Sequence, residues 1–550
     1  MNYSRFSSLL LAATFMGHGI AIAATLQVAD GCITPPDTTT GNVYYIDAMH
    51  GSAAGDGSQA HPWNSLQAIT GTAPYSNPAW QPPGCKGSTS VDCTSGPLLA
   101  GLPYWHNDMT LKKYVTSANP NAPIKAGDTI LLMNGNYGDI SIKSVINASF
   151  ITIAAAPGQT PVLSSLALIG STKWIVQGLK FRSLADSNSP FVEITGNKFY
   201  GAGGDIIIDG NSFASQDNVS TWTQADWVAN ARYITIDVNG GDQNSTYEKC
   251  VSITNNTIRN VRDGIIAEAD NMLVDGNTID NFGDDSMVFA ANNLVISHNH
   301  ISNAHDIGDG NHNDAIQGQT GNGIGGTTVF NNILIDGNII MAKTRPKLPF
   351  PGELQGITAF DMDWSNVGVI NNVVVTNTYH GLSFYSLHNG LIANNTVMGT
   401  APLNTWIGVF ENSHQGSASN DVIVRNNIAS VLDMDDRSDT VTSDHNLVGT
   451  QIYWYANGKP QWLTQPGTYA NENIVDPIRL AGVFKQFNNS GAKYNVHLQP
   501  NSLAVGTGNP VAPHNMGGGL RKVPVDLGAY EYVAPVLTAA AKAAAAQTTN

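Results

Sequence analysis

The middle of the chain repeats a short motif in which apolar residues flank an asparagine, and this repeat limits the fold more than any other feature. Copies read SITNNTI at Asn256, LVDGNTI at Asn277, VISHNHI at Asn299, LIDGNII at Asn338, VINNVVV at Asn372, LIANNTV at Asn395 and VRNNIA at Asn427. An earlier copy, IIIDGNSF, gives Asn211 the same place. The intervals are 21, 22, 39, 34, 23 and 32 residues, a base period near 22 with insertions of up to 17. Each copy holds a short β-branched strand, a tight polar turn and a second apolar pair, with no helical periodicity between copies. A period in the low twenties with several short strands per turn is that of a parallel β-helix, whose coils stack at roughly 4.8 Å. In such a stack each Asn can hydrogen-bond to the Asn one coil away and to turn backbone. These asparagines read as scaffold, not chemistry.

Other stretches carry a resemblance. GNVYYIDAMHGSAAGDGSQAHPWNSLQAI, from Gly41 to Ile69, resembles the opening of many secreted right-handed β-helix proteins of the pectate-lyase-like superfamily. GDTILLMNGNYGDISI, ITIAAAPGQTPVL and WIVQGLKF resemble its first coils, and VDLGAYEY (Val525 to Tyr532) its closing strand. The resemblance implies an all-β fold: a single right-handed parallel β-helix, a solenoid with an N-terminal cap and loop insertions, over residues 24–532. Residues 71–123, with Trp80, Tyr104 and Trp105, are expected to be a loop insertion over the early coils, and 533–550 a low-complexity tail. The superfamily contains lyases, hydrolases, epimerases and non-catalytic proteins, so the fold alone selects no reaction.

The ends and the charge bound the setting. Arg5, the apolar run Leu9 to Ile22 and the small residues Ala21 and Ala23 fit a cleavable signal peptide over 1–23, which implies a secreted or periplasmic protein. No later segment is long and apolar enough to suggest membrane insertion. Cys85 and Cys93 bracket a Gly/Ser-rich loop that a disulfide could close, leaving Cys32 and Cys250 as the other pair. A formal net charge of −16 argues against nucleic acid. The expected partner is a polysaccharide and the expected state a monomer.

A second alignment places polar residues in one column. RDGIIAE, DDSMVFA, NDAIQGQ, LQGITAF and YHGLSFY, read in register, give Asp263, Asp285, Asp314, Gln355 and His380, each before a small residue and an apolar strand. Each Asp alone reads most simply as a turn that caps backbone donors. Three acids together, with Arg262, Asp284, His305, Asp306, Asp309, His312 and Asn313 around them, read as a site, because a structural column would tolerate Ser, Thr or Asn. Like charges one rung apart push at least one carboxyl pKa upward, which calls either for a cation or for a shared proton.

Two chemistries fit such a column. For β-elimination on a uronate, the resemblance implies Ca²⁺ or a basic residue against the carboxylate, and Lys, Arg or His as the base. Asp285, Asp306, Asp309 and Asp314 are the expected calcium ligands, and Arg345 and Lys347, in the long insertion after Asn338, the expected basic groups with His312 and His380. For hydrolysis, RDGII and GDDSMVF resemble the Asp motifs of polygalacturonase-type glycoside hydrolases, which map onto Asp263, Asp284 and Asp285. That family's Gly-His-Gly is replaced by HNDA, and Arg345-Pro346-Lys347 only imitates its Arg-x-Lys. Elimination is the first expectation and hydrolysis the second. A C5-epimerase or a non-catalytic carbohydrate-binding β-helix, with Trp222, Trp227, Trp364 and Tyr379 stacking on sugars, are the further alternatives.

Overall fold

The computed structural model describes residues 41–67, 84–85, 102–183, 190–195, 204–239, 249–319, 329–400, 405–411, 417–434, 440–456, 459–464, 467–469, 472–476, 482–511, 514–516 and 518–533. The expected signal peptide, Cys32, Trp80, Cys93 and all but the first residue of the 533–550 tail lie outside them. Cys85 and Cys250 are both disulfide-bonded.

The chain is a single right-handed parallel β-helix. Its first face is a sheet of 13 strands running from Val43–Ile46 to Val441–Asp444, each paired in parallel with the strand one coil away. A 24-stranded sheet carries the other two faces around a corner. The second face includes Thr257–Val261, Thr278–Phe282, His300–Ala304, Ile339–Met341 and Val373–Thr376. The third-face strands that matter below are labelled β1 (Ile234–Asn239), β2 (Asp263–Ala267), β3 (Met287–Phe289), β4 (Asn313–Gly318), β5 (Leu354–Ala359), β6 (His380–Tyr385) and β7 (Trp406–Phe410).

Between the first and second faces the turn is two residues long. Its first residue takes a left-handed backbone, at φ +55° for Asn255, +66° for Gly276 and +51° for His298, which explains why Asn or Gly usually precedes the repeat asparagine. The repeat asparagine is buried and forms a continuous ladder. Asn277 Oδ1 accepts both the backbone N–H and the Nδ2–H of Asn256, at 3.0 Å each, while Asn277 Nδ2 donates to Ile253 O and to Asn299 Oδ1. The pattern runs from Asn211 through Asn427 and on to Asn446 and Asn473, two rungs further than the sequence repeat was followed.

Inside the coil, Ile, Val, Leu and Phe stack on their own kind, with Trp174 and Trp364 fully buried among them. The 71–123 insertion is not merely a loop where it is described. Tyr104–Asp108 and Lys113–Ser117 pair as an antiparallel hairpin, as expected of two β-prone runs separated by a polar turn.

Three insertions leave the corner between the second and third faces and form one wall. The first carries helix α1 (Gln224–Asn230), which opens on a capping box between Thr223 and Asp226. Trp227 of α1 packs with Ile307 and Phe350 of the other two insertions, and its ring lies 5.1 Å from that of buried His305. His305 bridges to Pro351, and Gln224 Nε2 donates to Asp306 O at 2.8 Å. Trp227 and Trp364 are therefore packing residues and not sugar platforms, at 1% and 0% exposed.

Candidate active site

The polar column is in register. Ile265 pairs with Met287, Val288 with Gln317, Asp314 with Gln355 and Ile357 with Leu382, so Asp263, Asp285, Asp314, Gln355 and His380 open β2 to β6 on successive rungs. The glycines that follow Asp263, Gln355 and His380 are a steric requirement. A Cβ on Gly264 would lie 2.1 Å from Ser286 O, and one on Gly356 would lie 2.0 Å from Gly381 O. The column continues one rung further, where His380 pairs with Trp406.

The carboxylates are tied to one another through backbone. Asp263 Oδ1 accepts the N–H of Asp285 at 2.9 Å, and Asp285 Oδ1 accepts the N–H of Asp314 at 2.9 Å. Asp314, fully buried, receives the Thr358 hydroxyl at 2.6 Å and pairs with His312 Nδ1 at 2.7 Å. Asp284 is held by Arg262 at 3.2 Å and by the Asn311 amide. Arg262 also pairs with Asp309 at 2.8 Å and lies 4.7 Å from the Tyr233 ring centre.

The electrostatics follow from burial. Desolvation, then the Asp284 charge, holds the Asp263 carboxyl well above the usual carboxylate range. Desolvation, then Asp314 and Asp263, does the same to Asp285. Asp284 is also raised by burial, against the opposing hydrogen bond from Asn311 and the nearby Arg262. The hydrogen bond to Asp314 raises the His312 pKa above its ordinary value. Asp237, on β1 beside the column, is pushed up to about 7 by burial, Glu193 and Glu268. A cleft of about 310 Å³ runs over this region, lined among others by Tyr233, Asp237, Asp263, Glu268, Asp284 and Asp285.

Two groups offer close metal-ligating atoms, all within 4.8 Å of one another: Asp263, Asp284 and Asp285, and Asp285, His312 and Asp314. An all-carboxylate set suits the oxygen preference of Ca²⁺, and Asp263, Asp284 and Asp285 would hold it. Asp306 and Asp309, the other expected ligands, join neither group. Asp309 is engaged by Arg262, and Asp306 is exposed and caps the N–H of Gly308 at 2.8 Å in its own turn.

The basic insertion is likewise elsewhere. Arg345 donates to Asn281 Oδ1 at 3.2 Å, on the second-face side of the wall beside His305, and Lys347 is exposed with no hydrogen bond or ion pair among the described residues. His380 belongs to the far end of the groove. It faces Ser383, Phe360, Tyr379 and Trp406, and burial with the His312 charge lowers its pKa to about 4. Thr358, Asn311, Trp406 and Phe410 were not singled out from sequence. Trp406 escaped the alignment because Ile407, and not a small residue, follows it, at a register shift just after His380.

No family model matches the chain, and no curated protein matches it. Solved structures that match the chain include XylC in complex with xylose, at 9% identity and TM-score 0.46, covering 89% of this chain and 98% of that one. Pectate lyase Pel9A matches at 11% identity and TM-score 0.36, over 90% of this chain and 98% of that one. A GH136 lacto-N-biosidase from Eubacterium ramulus matches at 10% identity and TM-score 0.39, over 74% and 68%. Fold and groove together define a parallel β-helix with a carboxyl-rich cleft along its third face, and the chemistry of that cleft follows from this chain's own residues.

Proposed function

We propose that the chain hydrolyses a polysaccharide laid along the third face, with the Asp263–Asp285 pair supplying the acid and Asp284 the second, ionised carboxylate. The observation that carries this reading is what the column does not need. Asp263 and Asp285 each cap one backbone N–H, a task that asparagine performs on the ladder from Asn211 to Asn473. Burying carboxyls for that purpose alone is costly, and acid/base work uses the raised pKa that burial imposes. Protonated Asp263 or Asp285 can donate to a leaving oxygen. Asp284, held between Arg262 and Asn311, is the member best kept ionised.

Elimination with Ca²⁺ is the second reading, supported by the two groups of close ligand atoms. Its expected bases are engaged or stand apart from the carboxyl cluster: Arg345 is turned to Asn281, Lys347 has no hydrogen bond or ion pair among the described residues, His312 is paired with Asp314, and His380 lies two rungs beyond Asp314. Secretion and a polymeric carbohydrate substrate fit both. Among the described residues no helix is long and apolar enough to cross a membrane.

The test is release of reducing ends from a panel of neutral and acidic polysaccharides by native protein, Asp284→Asn and Asp285→Asn. Each substitution is expected to lower the rate on the order of 100-fold or more at unchanged folding. Full activity in both would remove the assignment.

A further inference from the structure

The cleft over the carboxyl column has a second row of side chains on its floor. Asp237 of β1 pairs with Ile266 of β2, and Ile266 with Val288 of β3, so the three stand on successive rungs. Ile266 and Val288 lie three residues along their strands from Asp263 and Asp285, roughly 10 Å at ordinary strand rise. All five side chains line the same cleft of about 310 Å³. We propose that Asp237 is a further substrate-binding residue, whose outward oxygen Oδ2 donates a hydrogen bond to an oxygen of the sugar unit lying across Ile266 and Val288. The inference rests on the reading of the cleft as a polysaccharide site and adds a residue outside the acid pair and Asp284.

The position gives Asp237 no structural task. Asp263 and Asp285 each cap a backbone N–H, whereas Asp237 Oδ1 is buried without a hydrogen-bond partner among the described residues. The side chain is half-buried and lines the cleft, so Oδ2 is the oxygen that a ligand meets. An ionised carboxylate with one dry, unpaired oxygen is costly there. An apolar side chain would simply continue the strip of Ile266 and Val288. A polar group at the end of an apolar floor is the usual device for fixing the orientation of a bound ring.

The proton on Oδ2 is supplied by the surroundings. Burial, with the charges of Glu193 on the preceding rung and Glu268 just past β2, pushes the Asp237 carboxyl up to about 7. Tyr233, Asp263, Asp284 and Asp285 are the other titratable groups of the cleft. Below pH 7 the neutral carboxyl donates, and above it the carboxylate can only accept. Binding through this group therefore strengthens on acidification and is lost as pH rises through 7.

Affinity electrophoresis of the full chain reads binding without catalysis. Gels would contain xylan, galactan, mannan, β-glucan, polygalacturonate or alginate, and every protein would carry Asp285→Asn so that no polymer is degraded. The protonated fraction of a group with a pKa of about 7 falls about tenfold between pH 6 and pH 8, and apparent affinity follows that fraction. The Asp285→Asn protein is thus expected to bind at least one polymer with affinity falling roughly fivefold to tenfold over that interval. Adding Asp237→Asn, whose amide donates at both pH values, should hold affinity within about twofold of its pH 6 level. Adding Asp237→Leu should weaken binding at both. An equal fall with and without Asp237→Asn, no fall in the Asp285→Asn protein, unweakened binding by the Asp237→Leu protein, or no retardation by any polymer would overturn the role of Asp237. Binding that follows Asp237 on a polymer the native protein does not cleave would leave that role standing and remove the hydrolase.

Discussion

Asp285 and Asp314 occupy adjacent rungs of the third face, and the Asp285 carboxylate accepts the backbone N–H of Asp314 at 2.9 Å. One carboxylate thus has two tasks that can be separated. Its oxygen caps a strand, which an amide can do equally well, and its proton is available for chemistry, which an amide cannot supply.

Asp285→Asn should therefore lose activity while folding at least as well as the native chain. The raised pKa gives the sign of the pH effect. A carboxyl whose folded pKa lies above the unfolded value of 3.8 stabilises fully below that value, and the contribution is lost as pH rises through the folded pKa. The native protein is expected to lose stability over that interval, and Asp285→Asn to lose less of it. Thermal melts at acidic and mildly alkaline pH would show the two curves diverging upward in favour of the variant. Parallel curves would contradict the assignment.

His305 gives the opposite dependence. Burial, with the Arg345 charge, lowers its pKa from 6.5 to about 4. Its stabilisation is complete above pH 6.5 and is lost as pH falls toward 4, about 3 kcal/mol at most. The wall formed by Trp227, His305 and Phe350 is expected to open first, so amide exchange in residues 224–230 and 305–312 should accelerate on acidification. Uniform acceleration along the coils would count against a local wall.

Asn338→Ala should act on stability alone. It removes hydrogen bonds to Ile296 O, Asn299 and Asn372 in a fully buried ladder and leaves their partners unsatisfied. A loss of about 3 kcal/mol in denaturant unfolding is expected, with activity per folded molecule preserved.

Lys347→Ala separates the two chemistries. Hydrolysis through the aspartates leaves this exposed side chain without a role, so the rate should stay within about threefold of native. A loss on the order of 100-fold would return the basic insertion to the centre of the reaction.

The coil period, the scaffold role of the asparagines and the register of Asp263, Asp285, Asp314, Gln355 and His380 were all legible in sequence, because each rests on spacing along a strand. What depends on long insertions was not. The paths of residues 305–312 and 342–353 are set by packing against α1, which turns Arg345 toward Asn281 and Asp309 toward Arg262. Trp227 and Trp364 were candidates for exposed platforms, but bulk apolar rings are equally at home in the wall and the core. Asn446 and Asn473 escaped the repeat because SDHNLV and NENIV carry fewer apolar flanks than the central copies.

The most direct measurement follows product formation on a polysaccharide the protein cleaves, recording reducing ends and the ultraviolet absorbance of unsaturated ends together, with calcium and with a chelator. Hydrolysis by the aspartate column predicts reducing ends without absorbance, unchanged by the chelator. Absorbance rising in step with reducing ends, and both abolished by the chelator, would contradict it and establish a calcium-dependent lyase.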